Sequence, residues 1–319
     1  MNNSINPILI SIIIATRNRE NILWETVEKA CMVIENRNAE IIIVNDGDQP
    51  LKMPIEYRHK IRYFDNYKRG VSAARNYGVS KSTGTFLFFV DDDMWINKEA
   101  MQWITGQMKE EKNTKAVYNL NWEYPKSLQM TLSKTKVGNF ILDARYNTMW
   151  GRMHERGAKP TNGLYKFQHA ASGSLVMHKD IFSLVGGYNE SLIFQGEDID
   201  LSARLNKLSI PIYCVFDVTM FHNHADRLDL PGYINRLSNG YRSQFLAEKT
   251  GLISVTFKGY KTIKILLFEI FRVSENFWIL LHKLIPNNKI FKPFINRLTG
   301  SLSSLQQYKQ WKIICSDIK

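Results

Sequence analysis

Cysteine is scarce in this 319-residue chain. Its three, Cys31, Cys214 and Cys315, lie far apart, which excludes a disulfide framework and a paired-cysteine zinc cluster and points to a reducing cytoplasm. No secretory leader is expected either. Residues 1–7 are polar and uncharged, without a basic start or a cleavage site, so the chain is expected to begin natively. There is no long apolar run. The nearest, 263–285, contains Lys264, Glu269, Arg272, Glu275, Asn276, His282 and Lys283, whereas a spanning helix needs about 20 mainly apolar residues, so no crossing is expected. Internal repeats and low-complexity segments are missing too. So are zinc-finger, RNA-binding-sheet and helix-turn-helix signatures, which counts against a nucleic-acid-binding protein.

What is present is enough apolar material for a core: 44% hydrophobic and 12% aromatic residues. The net charge is +12, from 42 Lys and Arg against 30 Asp and Glu. Such an excess suits nucleic acid, an anionic membrane face or a phosphorylated substrate. From Gly251 onward there are eleven basic residues and three acids, so +8 of the charge belongs to the tail.

The first 120 residues alternate between strand and helix periods, which predicts an α/β fold with a mainly parallel sheet flanked by helices. Strands are expected at 8–15, 40–45, 60–64 and 85–90, with helices at 19–36 and 70–80. A helix at 97–109 and a strand at 116–122 follow, and much of 94–165 has no clear period. A strand is expected at 167–177, then helices at 179–184 and 198–208, a strand at 212–216 and a helix at 233–249. Residues 1–250 would form one α/β domain. Residues 251–319 would form a basic helical C-terminal extension.

Strand C-termini of such a sheet gather on one ligand-binding edge. Asp91-Asp92-Asp93 directly follows a run of apolar strand residues. Three adjacent carboxylates need a cation or donors, and Asp91 and Asp93 share a face if the chain stays extended. They suit a hard divalent ion, or else an acidic loop before the helix near Asn97. Glu197 and Asp198 open an amphipathic helix, where acids favour the helix dipole or supply a general base. Asp46 stands in a turn that explains it without a ligand, yet it shares the edge with Thr16 and Arg17. Arg75 fits phosphate positioning, support of the acidic loop or a surface salt bridge. His222 and His224 have the i, i+2 spacing that lets one of them supplement a carboxylate-bound cation.

Together these residues resemble the family 2 glycosyltransferases, which have the A-type nucleotide-sugar transferase fold. The resemblance rests on Ser11-Ile-Ile-Ile-Ala-Thr-Arg-Asn-Arg19, Glu40-Ile-Ile-Ile-Val-Asn-Asp-Gly-Asp48, Gly70-Val-Ser-Ala-Ala-Arg-Asn-Tyr-Gly78 and Gly84-Thr-Phe-Leu-Phe-Phe-Val-Asp-Asp-Asp93. Val185-Gly-Gly-Tyr-Asn-Glu190 and Glu197-Asp-Ile-Asp-Leu201 extend it to about residue 225. It implies that residues 1–250 are a catalytic domain, about 1–120 binding the nucleotide sugar and about 121–250 facing the acceptor, and that Thr16, Arg17, Asp46, Arg75, Asp91 and Asp92 bind a UDP-, GDP- or dTDP-sugar. It further implies Mn²⁺ or Mg²⁺ on Asp91, Asp93 and His222, with His224 the alternative histidine. Asp198 would be the catalytic base of an inverting transfer, with Glu197 placing the acceptor. Ala15, Asn45 and Asp48 depart from the family's usual proline, aspartate and serine. A nucleotidyltransferase is the competing enzyme class, but no glycine-rich, lysine-containing triphosphate loop follows the first strand.

The tail interleaves Ile263, Leu266, Leu267, Ile270 and Phe277 with Lys258, Lys261, Lys264 and Arg272. It reads either as an interfacial helix on anionic lipid or as a helix pair packed on the catalytic domain. With the resemblance, the first reading implies an enzyme peripheral on the cytoplasmic membrane face. Its acceptor would be a glycan or lipid-linked, in bacterial surface polysaccharide synthesis.

Overall fold

Five β-branched residues in seven make Ile10–Thr16 (β1) a strand that can be covered on both faces, and Ile10 and Ile12–Ile14 are fully buried. The structure, a computed structural model, describes residues 10–34, 38–107, 115–153, 160–192, 196–224, 229–251 and 259–315. Ile8, Leu9, Asn36, Lys109 and Lys258, all within sequence-predicted elements or the tail pattern, lie outside the described residues, as do residues 1–7.

After β1 come α1 (Glu20–Ile34), β2 (Ala39–Asn45), a short 3₁₀ turn, β3 (Arg62–Asp65), α2 (Val71–Lys81), β4 (Phe86–Asp91), β5 (Met94–Trp95), α3 (Lys98–Gln107) and β6 (Val117–Glu123). The chain continues through α4 (Lys126–Leu132), α5 (Lys136–Asp143), α6 (Met149–Met153), β7 (Leu164–Phe167), β8 (Ser174–His178), α7 (Lys179–Val185), α8 (Glu197–Lys207) and β9 (Ile212–His222). It ends with α9 (Leu230–Lys249), α10 (Thr262–Val273), α11 (Glu275–Leu284) and α12 (Lys292–Cys315). Two compact units result, one from 1–123 with 158–223, the other from 124–157 with 224–319.

The first unit holds a nine-stranded sheet in the order β3-β2-β1-β4-β8-β6-β9-β5, with β7 paired to β9. The parallel character expected of the sheet holds over β3-β2-β1-β4. Beyond β4 the pairing is mixed, because β8, β5 and β7 run antiparallel to their neighbours. Register sets Ala15 beside both Val44 and Asp91, so the loops after β1, β2 and β4 leave from one edge. At the opposite end, Ser11 lies across from Glu40 and donates to it at 2.7 Å, while the Gly84 amide donates to Ser11 at 2.9 Å.

Helix α2 lies close against this sheet because its inward residues are small. A Cβ on Gly78 would come within 2.6 Å of Ile13, and Ala73 and Ala74 are buried. On the other half of the sheet, Phe89 meets Phe182 and Tyr188 at ring distances of 5.5 and 5.2 Å. Leu201 and Leu205 of α8 join the same core. Each such side chain contributes roughly 1.5–3 kcal/mol by leaving water, which anchors α8 with its acidic first turn.

The structure lengthens or divides the sequence-predicted strands of the second half. The segment 167–177 is two strands, β7 and β8, separated by the turn that carries Ser172 and Gly173. The last strand runs to His222 rather than stopping at Phe216, so that histidine sits in the sheet itself. The stretch without a clear period, 94–165, contains α4, α5 and α6, and α5 is capped by the Thr135 side chain accepting from the Gly138 amide. In the second unit, α9 and α12 pack along each other, with Tyr233, Phe245, Leu298, Leu302 and Leu305 buried.

Candidate active site

Strand β4 stops at Asp91, and Asp92 and Asp93 form a turn. The extended arrangement in which Asp91 and Asp93 would share a face is therefore absent, and the three carboxylates divide between Arg75 and Arg19. Asp91, whose side chain is 44% exposed, accepts from Arg75 at 2.9 Å. Asp92 is buried and accepts from Thr16 at 2.7 Å and from Arg19. Asp93, also buried, accepts from the other arm of Arg19 at 2.9 Å, and its second oxygen lies 3.0 Å from Nε2 of His222. Burial, then the neighbouring Asp93 charge, push the Asp92 carboxyl up to about 7, against Arg19 and Thr16.

Arg19 thus holds two of the three acids. Within the first motif, the sequence alone gives it no role. Its position in the loop after β1, beside Thr16 and Arg17, is the signal that could have identified it. Arg17 itself is partly exposed in the same loop. Asn18 adopts a left-handed backbone (φ 54°), which asparagine tolerates. Its side chain joins the loops after β1 and β2 by donating to Asp48 at 2.8 Å and accepting from the Asp48 amide at 3.1 Å.

Asp46 accepts from Asn66 and from the Gly70 amide, both at 2.8 Å. The carboxylate so fixes the entry to α2, and with it Arg75. Asn45 is a hub of this turn, donating to the Gln49 carbonyl at 2.8 Å and Asp65 at 3.0 Å while accepting from the Gly47 amide at 2.9 Å. A Cβ on Gly47 would lie 2.6 Å from that same Asn45 oxygen, so the close approach favours glycine there.

Arg75 is 5% exposed and bridges two elements, donating to Asp91 at 2.9 Å and to Glu197 of α8 at 3.0 Å. Its guanidinium also lies over the Tyr188 ring, 5.3 Å from the centroid. Burial opposes this charge, but Tyr188, Asp91, Glu197 and Asp198 around it raise its pKa and keep it protonated. The motif ending in Glu190 serves the same region. Gly186 and Gly187 turn the chain with positive φ, and Asn76 then pairs with the Tyr188 backbone in both directions at 2.9 Å.

Asp198 sits half-buried in the first turn of α8. It accepts from the Ser172 amide at 3.0 Å and from the Ser172 hydroxyl, which in turn accepts from Tyr188 at 2.8 Å. Burial and the adjacent Glu197 push the Asp198 carboxyl up to about 7, against Arg75 and Ser172. Such a group can take a proton near neutral pH. Sequence reasoning missed Ser172, because nothing local marks a turn between two strands as the partner of a distant helix, and it quoted Tyr188 within a motif without a role of its own.

His222 is buried at the end of β9, its ring edge-on to Trp122 at 4.8 Å. Its facing atoms with Asp93 could hold a metal ion. A carboxylate oxygen and an imidazole nitrogen form a donor pair that suits Mn²⁺ and is compatible with Mg²⁺. His224 opens the second unit, where its ring contacts Arg236 at 2.7 Å.

The sequence profile described as Glycosyl transferase family 2 matches residues 11–182, more than half of the chain. Glycosyltransferase GlyA of Streptococcus pneumoniae is 31% identical over 115 residues, 34% of this chain and 16% of its own length. The GalNAc(5)-diNAcBac-PP-undecaprenol beta-1,3-glucosyltransferase of Campylobacter jejuni is 34% identical over 94 residues, 26% of this chain and 29% of its own. The chain therefore spans less than a third of the length of these curated relatives. A mannosyltransferase from Pyrobaculum calidifontis, solved with GDP-Man and Mn²⁺, shares the fold at a TM-score of 0.51 and 12% identity, covering 94% of this chain and 74% of that one.

Proposed function

Because the chain belongs to glycosyl transferase family 2, we propose that it moves a sugar from a nucleotide-sugar donor to a hydroxyl of a glycan or lipid-linked acceptor, inverting the anomeric carbon. The observation that carries this reading is the Arg75 bridge, which ties the acidic loop after β4 to the acidic first turn of α8. In this reading the bridge keeps the donor-side and acceptor-side carboxylates together.

In this reading Asp198 accepts the proton of the acceptor hydroxyl. The freed oxygen forms its bond to the anomeric carbon as that carbon's bond to the diphosphate breaks, releasing the nucleoside diphosphate. Ser172 and Tyr188 orient Asp198, and Glu197, fixed by Arg75, positions the acceptor. Thr16, Arg17, Asp46, Asp91 and Asp92 line the donor side. Asp91, Asp93 and His222 would hold Mn²⁺ or Mg²⁺, which when bound offsets charge on the departing diphosphate.

The reading includes a peripheral membrane contact. No helix among the described residues is long and apolar enough to cross a bilayer. Yet Ile263, Leu266, Leu267, Ile270 and Val273 form one face of α10 and are each more than 60% exposed. Phe277, Leu280 and Leu284 extend the exposed apolar surface onto α11. Lys261, at the start of α10, and Lys264 and Lys283 on these helices are exposed. An apolar face with basic residues beside it suits anionic lipid, whereas a second copy would bring like charge against it.

A screen of UDP-, GDP- and dTDP-sugars by thermal shift, with and without Mn²⁺, tests the proposed reaction. One donor is expected to raise the melting temperature in a Mn²⁺-dependent way. Failure of every donor to do so would count against the proposal.

A further inference from the structure

The second unit contains a cavity of about 590 Å³ that the proposed transfer does not use. This size lies within the range of small-molecule sites, roughly 300–1,000 Å³. Its walls come from α5, α6, α9 and α12. Phe140, Tyr146, Tyr233 and Tyr241 supply aromatic surface, and Arg152 and Arg236 supply charge. No carboxylate is among the described residues of its lining.

The two guanidinium groups line the same cavity and are each held by neighbouring groups. Arg152 donates to the Tyr146 carbonyl at 2.8 Å and to the Tyr124 hydroxyl at 2.7 Å. Arg236 lies against the His224 ring and over the Tyr233 ring, 5.7 Å from its centroid. Both charges act on the Tyr233 hydroxyl, where with Ser303 they oppose the burial that raises this phenol. Guanidinium groups are the side chains best matched to phosphate or carboxylate, and this cavity is lined by two of them.

The wall supplied by α12 is built from small residues. Gly300 of α12 leaves room beside Phe140, since a Cβ there would lie 3.5 Å from that ring. Glycine inside a helix weakens it relative to alanine, and here its effect is space. Ser303 and Ser304, one turn on, add hydroxyls at the same wall.

Aromatic faces, hydroxyls and two guanidinium groups together match a ring that is apolar on its faces, polar at its edge and negatively charged at one substituent. We infer that this cavity binds an anionic saccharide, a sugar carrying a phosphate or carboxylate. Its use as an acceptor subsite rests on the transferase reading, while the binding itself does not.

The test is calorimetric titration of the full chain with glucose 6-phosphate, glucuronate, glucose and inorganic phosphate, in the presence of saturating UDP to occupy a donor site. At least one anionic sugar is expected to bind at least about tenfold tighter than both glucose and inorganic phosphate. Arg152→Gln and the cavity-filling Ser304→Trp are each expected to weaken that binding by about tenfold or more, and Asp93→Asn to leave it unchanged. Ser304 is exposed, so its variant keeps the test valid if loss of Arg152 unfolds the unit. No preference for the charged sugars, or unchanged binding in Ser304→Trp, overturns the inference. Anionic-sugar binding that meets these criteria, in a chain that transfers from no donor, would uphold the cavity and remove its acceptor role.

Discussion

The Ser172 amide donates to the Asp198 carboxylate at 3.0 Å, joining the turn before β8 to the first turn of α8. Hydrogen bonds to the charged form favour it, while burial and Glu197 disfavour it, and the balance leaves the group at about 7. If Asp198 is the base, transfer requires its ionised form, so the rate should rise with pH through about 7. Ser172→Ala removes the hydroxyl bond, and the acidic limb of the pH–rate profile is expected to move upward by about half a unit to one unit. A limb at ordinary carboxylate values, or one that Ser172→Ala leaves in place, would argue against this role.

Arg75 is enclosed, and two carboxylates depend on it. Arg75→Gln is expected to lower stability by about 2–4 kcal/mol, discounted for the half-exposed Asp91, because Glu197 keeps a charge without this partner. Arg75→Lys should recover only part of the loss, since a point charge cannot serve both acids and the Tyr188 face. Urea denaturation of the three proteins measures this, and full recovery by lysine would show that the bridging geometry is unimportant.

Much of the fold is legible because its physical cause is local. Ile41–Val44 and Phe86–Val90 are short, uninterrupted apolar runs rich in β-branched and aromatic residues, which favours a strand covered on both faces. The end of β9 is harder to see. Exposed Asp217 interrupts its apolar pattern, and the register with β6 shifts after Leu120, so the pattern in the sequence ends before the strand does. The acidic triad was legible as a site and not as a geometry, since its turn is fixed by Thr16, Arg19 and His222 from other segments of the chain. Ser172 and Tyr188 gain their relation to Asp198 only through the packing of α8 on the sheet.

Glu40 offers a test remote from the chemistry. Burial alone would raise its carboxyl, but hydrogen bonds from Thr83, Ser11 and Arg62 hold it below the usual range. A lowered value in the folded state means stability that is present above the ordinary carboxylate range and lost as pH falls through the folded value. Glu40→Gln is therefore expected to cost about 1–3 kcal/mol at neutral pH, with the difference from the parent shrinking in acid. Denaturation midpoints at two pH values suffice, and a pH-independent difference would contradict the assignment.

Exposed α10 and α11 surfaces lead to a vesicle experiment. The chain is expected to co-sediment with vesicles containing phosphatidylglycerol, and less with phosphatidylcholine alone. Leu266→Asp with Leu267→Asp should reduce the bound fraction by about tenfold, because charge replaces buried apolar area at the lipid boundary. Equal binding by parent and variant would exclude this face as the contact.

The most direct measurement is the transfer rate of Asp198→Asn beside its affinity for the donor that stabilises the parent chain. The expected result is a rate lower by about a hundredfold or more, with donor affinity within about threefold of the parent, since a base acts on the acceptor hydroxyl and not on donor binding. Transfer close to the parent rate would contradict Asp198 as the base.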